Sequence, residues 1–94
     1  MAISFLKRLR EPIARGEITT TIRIWQRPQA KIGGRYQMGQ GFVVVTRMRQ
    51  IALTDITPAM ATKSGFAGIV DLLKTAKHGR GEKVYLIEFR YEDA

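Results

Sequence analysis

Thr19-Thr20-Thr21-Ile22-Arg23-Ile24-Trp25 is the run whose reading decides the fold. β-Branched and aromatic residues crowd it, and such residues suit the pleated surface of a strand. Strand side chains alternate between two faces. Ile18, Thr20, Ile22 and Ile24 therefore share one largely apolar face, and Thr19, Thr21, Arg23 and Trp25 share the other. The second face lines up hydroxyls, a forked cation and a flat ring. That set suits an anion or a nucleotide where the strand borders a cleft.

Upstream, the chain opens on the apolar and basic stretch MAISFLKRL. Leu6, Leu9 and Ile13 fall at helical spacing, and Pro12 must sit near a helix start or break the helix. A short helix over about Glu11–Arg15 ends at Gly16, the residue type that tolerates a left-handed cap. The opening is too short and too interrupted for a membrane-surface helix and reads as a packed N-terminal cover.

Downstream, Gln26 to Gly41 is rich in Gly, Pro and Gln and carries the cations Arg27, Lys31 and Arg35. Gly33-Gly34 reads as a turn, with a short strand around Arg35–Met38. Gly41 to Leu53 carries the strongest strand signal, Phe42-Val43-Val44-Val45 onward. It is long for one strand, so a bend or bulge midway is expected. Simple alternation puts Arg47 and Arg49 on the face of Val43 and Val45, as its solvated outer stretch.

Thr57-Pro58 marks a helix start, with Thr57 as N-cap and Pro58 in the first helical position. That turn ends near Ser64-Gly65. A second helix runs from about Phe66 to Lys74, burying Phe66, Ile69, Val70 and Leu73, with Asp71 on or near its solvated side. Lys77 to Lys83 is a basic, glycine-containing loop, read as solvated rather than phosphate-gripping because no helix directly follows it. The chain closes on a strand over Val84–Tyr91. Tyr85, Ile87, Phe89 and Tyr91 share one face, and Val84, Leu86, Glu88 and Arg90 the other. Glu88 is either a solvent-exposed acid or a partner for Arg23.

Bulk properties narrow the function classes. The chain has 94 residues, the size of one domain, taken here as residues 1–94. It has no cysteine and one histidine, His78, which leaves no thiolate zinc site and no His-based metal site. No apolar stretch is long enough to span a membrane, and no apolar region of signal-peptide type follows the basic N-terminus. Those features point to a cytoplasmic protein without metal or other cofactor and without a membrane partner. The net charge of +8 favours polyanions such as RNA or nucleotides.

Strands with a helical pair and no βαβ rhythm indicate an α+β protein built on a small, closed or partly closed β-barrel. The order of features resembles the ASCH domain, a branch of the PUA-like superfamily of small barrels. Its motif, Gly-x-Lys-x-x-(Glu or Thr)-x-Arg, is matched by Gly16, Thr21 and Arg23, with Ile18 in the lysine position. Leu53-Thr54-Asp55-Ile56-Thr57, Ala61 and Gly65-Phe66 resemble the family's helical insert, and Val84-Tyr85-Leu86-Ile87-Glu88-Phe89 its last strand. The resemblance covers about Leu9 to Tyr91.

The resemblance implies a PUA-like barrel with short helices inserted between strands, and a cleft beside the motif strand with an RNA- or nucleotide-related role. Some members are amidohydrolases that deacylate modified cytidine with the motif lysine, the motif threonine and an insert glutamate. Only the threonine carries over, as Thr21; the glutamate position falls near Ser64. A threonine hydroxyl needs a neighbouring base to act, and Glu17 could replace one only if the strand began that early. The expectation is therefore an RNA- or nucleotide-binding module rather than an enzyme. Thr19, Thr21, Arg23, Trp25, Arg27 and Tyr36 are its candidate ligand-binding residues. Arg23 would fork onto a phosphate or base edge, and Trp25 or Tyr36 would stack a base. Two alternatives stand beside it: an amidohydrolase acting on an acylated cytidine, and a protein-interaction domain with exposed strand edges.

Overall fold

The structure is a computed structural model and describes residues 3–76 and 81–94. Helix α1 (Lys7–Ala14) leads into strand β1 (Thr20–Trp25), followed by β2 (Arg35–Met38) and β3 (Gly41–Ile51). A short helical turn at Leu53–Asp55 precedes α2 (Pro58–Lys63) and α3 (Ile69–Ala76), and β4 (Lys83–Glu92) completes the sheet. The strands form one antiparallel sheet in the order β1-β4-β3-β2, so the last strand lies between the first and the third. The sheet curls into a half-barrel. The fold is α+β.

β1 is an edge strand, yet it is buried on both faces: Thr20, Thr21, Ile22, Ile24 and Trp25 are buried and Arg23 is half-buried. One face of the sheet holds Val43 and Val45 of β3 and Tyr85, Ile87 and Phe89 of β4, together with Thr21, Arg23 and Trp25. Val43 and Ile87 are completely buried there. Each such side chain contributes ~1.5–3 kcal/mol of transfer free energy, which makes this face the core. Phe5, ahead of α1, packs its ring at a tilt against Phe89 with centres 5.3 Å apart, and α1, whose Leu9 and Ile13 are buried, packs against β4. On the other face, α3 packs against β1, and the buried Thr20 and Ser64 hydroxyls meet at 3.1 Å.

The expected N-cap is present: Thr57 Oγ1 accepts from the Met60 amide at 3.1 Å, with Pro58 opening α2. Gly65 follows α2 at φ +93°, and Gly16 follows α1 at φ +78°, a backbone conformation that costs a residue with a Cβ. Three expectations are corrected. α1 starts four residues earlier than Glu11 and carries Pro12 inside it. α3 starts at Ile69, so Phe66 precedes it, and its buried stripe is Leu72 and Ala76 flanked by Ile69 and Leu73. Val70 lies 70% exposed on the opposite side. The third correction concerns β3. Val45 pairs with Phe89 but Arg47 pairs with Glu88, so Thr46 is an extra residue in a bulge. The bulge moves Arg47 and Arg49 off the face of Val43 and Val45. The basic loop read at Lys77–Lys83 lies outside the described residues over 77–80.

Candidate functional site

A cleft of about 190 Å³ opens along the outer edge of β1. Ser4, Phe5, Leu6 and Leu9 form one wall, Thr21, Ile22 and Arg23 the floor, and Phe66, Thr75 and Ala76 the other wall. Local sequence explains its shape. Gly65 sits where a Cβ would meet the Leu9 side chain at 2.6 Å and Ile18 at 2.9 Å, so a residue with no side chain lets α1 approach the α2–α3 connection. Arg8 ties the two walls, donating from Nη1 to the Gly65 carbonyl at 2.8 Å and lying over the Phe66 ring at 5.3 Å.

Arg23 is the chemical centre of the cleft. Its Nε donates to Thr21 Oγ1 at 3.0 Å and its Nη2 to the Ser4 carbonyl at 2.6 Å. The guanidinium lies 4.9 Å from the centre of the Phe5 ring, a cation–π distance. Burial pushes its pKa down to about 10, which still leaves the group cationic at neutral pH. No carboxylate pairs with Arg23 among the described residues. Glu88, one of its two expected roles a partner for Arg23, instead faces the other side of the sheet and lies 3.8 Å from Arg47.

The floor also offers backbone groups. The Phe89 amide donates to the Thr19 carbonyl at 2.9 Å. In an antiparallel ladder the paired residues alternate. Thr21, Arg23 and Trp25 therefore turn their amides and carbonyls toward β4, and Ile22 turns its own outward into the cleft. Ile22 lines the cleft by its backbone, although its side chain belongs to the opposite face.

Of the six expected ligand-binding residues, the cleft brings together Thr21 and Arg23. Thr19 is exposed ahead of β1, and its carbonyl caps the β4 ladder. Trp25 is buried against Tyr85, with ring centres 5.7 Å apart, and has no face free to stack a base. Arg27 is exposed beyond the end of β1 and does not line the cleft. Tyr36 lies on β2, at the opposite edge of the sheet, where its hydroxyl accepts from the Lys31 amide at 2.9 Å and its ring fills the space beside Gly34. Glu17 lies in the turn, paired with Arg15 at 2.5 Å, which lowers its pKa, and it stands apart from Thr21. Ser4, Phe5 and Phe66 line the cleft but are not among the expected ligand-binding residues. Phe66 reads as buried and the opening stretch as a packed cover, and what the residue order does not give is that both line one cleft beside β1.

Among the described residues, no group of three or more His, Cys, Asp or Glu side chains is placed to share a metal ion. No helix among them is long and apolar enough to cross a membrane. Compared with known proteins, the chain matches no family model, no curated protein and no solved structure.

Proposed function

We propose that this chain is an RNA- or nucleotide-binding module of the PUA-like type, related to the ASCH domain, and that it binds through the cleft beside β1. The observation that carries this reading is Arg23: a half-buried cation in the cleft floor, held by Thr21 and Ser4, with no carboxylate on it among the described residues. A guanidinium so placed is pre-organised for an anion, because its fork is already oriented and little entropy is lost on binding. Thr21 Oγ1 and the outward amide and carbonyl of Ile22 add hydrogen-bonding partners, and Phe5 and Phe66 supply apolar walls. The volume is below the ~300 Å³ of ordinary small-molecule sites, so one base or one phosphate enters rather than a whole dinucleotide. Binding is favoured over hydrolysis because Thr21 accepts its hydrogen bond from a cation, which holds no proton-accepting base for its hydroxyl.

The test is a titration with a short single-stranded RNA over a range of salt, beside the ultraviolet absorbance ratio of the freshly purified protein. One phosphate in the cleft together with contacts to the basic surface around it, about four phosphates in all, gives a log–log salt slope near −3. Replacing Arg23 with Gln should weaken binding. A flat salt response, or equal affinity of the Gln variant in its folded state, overturns the reading.

A further inference from the structure

We infer that the sheet face opposite the core, over β2, β3 and β4, docks the phosphate backbone of a single-stranded RNA through Arg35, Arg47, Arg49 and Arg90. This rests on the nucleic-acid reading above and adds a second surface to it.

The register places these four side chains together. Arg35 of β2 and Arg90 of β4 both pair with Val44 of β3, one from each side, so the three form a row across the sheet. Arg47 pairs with Glu88 in the next row and Arg49 with Leu86 two residues further along β3. Successive same-face residues on a strand stand ~6.6 Å apart, so Arg47 and Arg49 form a short ladder of cations along β3. The Thr46 bulge creates this arrangement. Were Thr46 paired in regular alternation instead of bulged, Arg47 and Arg49 would point into the core with Val43 and Val45.

The face is open to a large ligand. Arg47 is 68% exposed and Arg90 57%. Two carboxylates share the patch with four guanidiniums: Glu92 pairs with Arg35, at 3.2 Å, and with Arg90, while Glu88 pairs with Arg47. The patch therefore keeps an excess of positive charge. Exposed ion pairs of this kind contribute only ~0–1 kcal/mol, so a phosphate exchanges for a carboxylate at little cost. Until then the shared Glu92 holds two forks in an extended geometry. Arg35 also lies over Phe42, 4.4 Å from the ring centre, which fixes its direction. Planar forks at regular spacing match phosphate oxygens, and the charge complementarity selects a polyanion.

The experiment compares three forms of the intact protein: wild type, Arg47→Gln/Arg49→Gln, and a control with the same charge change elsewhere, Lys63→Gln/Lys74→Gln. All four residues are exposed, so circular dichroism should show unchanged folds. Two probes are titrated, a labelled single-stranded RNA oligomer and uridine monophosphate. The arginine double variant should bind the oligomer about tenfold more weakly or worse, with a salt slope shallower by about 1.4, and bind the mononucleotide as wild type does. An oligomer affinity reduced no more than in the lysine control overturns the proposal. So does a wild type that binds the mononucleotide but not the oligomer, an outcome that leaves the cleft standing. Oligomer binding that depends on Arg47 and Arg49, with no mononucleotide binding, supports the face and removes the cleft.

Discussion

Arg23 donates to the Ser4 carbonyl at 2.6 Å across the gap between β1 and the segment ahead of α1. That bond, with the Phe5 ring beside the same guanidinium, fastens the N-terminal cover onto the core face of the sheet. One side chain thus anchors a wall of the cleft and presents a charge to it. Stability and binding should therefore change together when it is altered, and separate when only its fork is.

Arg23→Met should destabilise the protein by about 2–4 kcal/mol, combining a charge-assisted hydrogen bond with a cation–π contact. Arg23→Lys retains the charge but not the fork, and should lose less stability while still weakening nucleotide binding. Urea titration monitored by Trp25 fluorescence, beside a binding titration, separates the two effects.

Phe5→Ala should cost about 3–5 kcal/mol, since a buried ring is removed from both Phe89 and Arg23. The loss should appear as a lower urea midpoint. An unchanged midpoint would mean that the N-terminal segment does not pack on the sheet.

The buried hydroxyl pair of Thr20 and Ser64 gives a double-mutant test. Thr20→Val leaves the Ser64 hydroxyl without its partner and should cost about 1–3 kcal/mol. Combining it with Ser64→Ala should cost less than the sum of the two single changes, because no orphaned hydroxyl remains.

Thr46 is exposed, so Thr46→Ala should change stability by less than about 0.5 kcal/mol. Deleting Thr46 should remove the bulge yet leave the pairing beyond it unchanged, with Arg47 opposite Glu88 and Arg49 opposite Leu86, so the variant should still fold with both arginines on the open face. Circular dichroism of the two variants checks both outcomes.

Acid should weaken two ion pairs in a defined sense. Arg15 lowers the pKa of Glu17, and Arg90 with Arg35 lowers that of Glu92, both from an ordinary 4.5. Between the folded and unfolded pKa values the unfolded chain binds more protons, so stability rises with pH there. The contribution is complete above about pH 4.5 and fades as pH falls through the depressed values. A Glu17→Gln/Glu92→Gln variant should have a flatter acid limb in a plot of stability against pH.

Much of the secondary structure was legible because it depends on local chemistry. Thr57-Pro58 starts α2, Arg35–Met38 is a strand, and the alternation of Tyr85, Ile87 and Phe89 marks the buried face of β4. The site was legible in part. Thr21 and Arg23 meet in the cleft because their alternation on β1 puts them on one face. Trp25 continues the same alternation but faces Tyr85 in the core, and Tyr36 caps a turn on the far edge strand. Alternation says which residues share a face, not what covers it.

The residue order by itself determined the strands and helix caps, the excess of positive charge and the pairing of Thr21 with Arg23, since each follows from local sterics, side-chain alternation or ionisation. Tertiary structure alone decided that β4 inserts between β1 and β3 and that Ser4 and Phe5 wall the cleft. It also decided that leaving Thr46 unpaired in a bulge turns Arg47 and Arg49 to the open face. These outcomes depend on which distant segments pack together, and so on the free energy of the whole core rather than on any one stretch of chain.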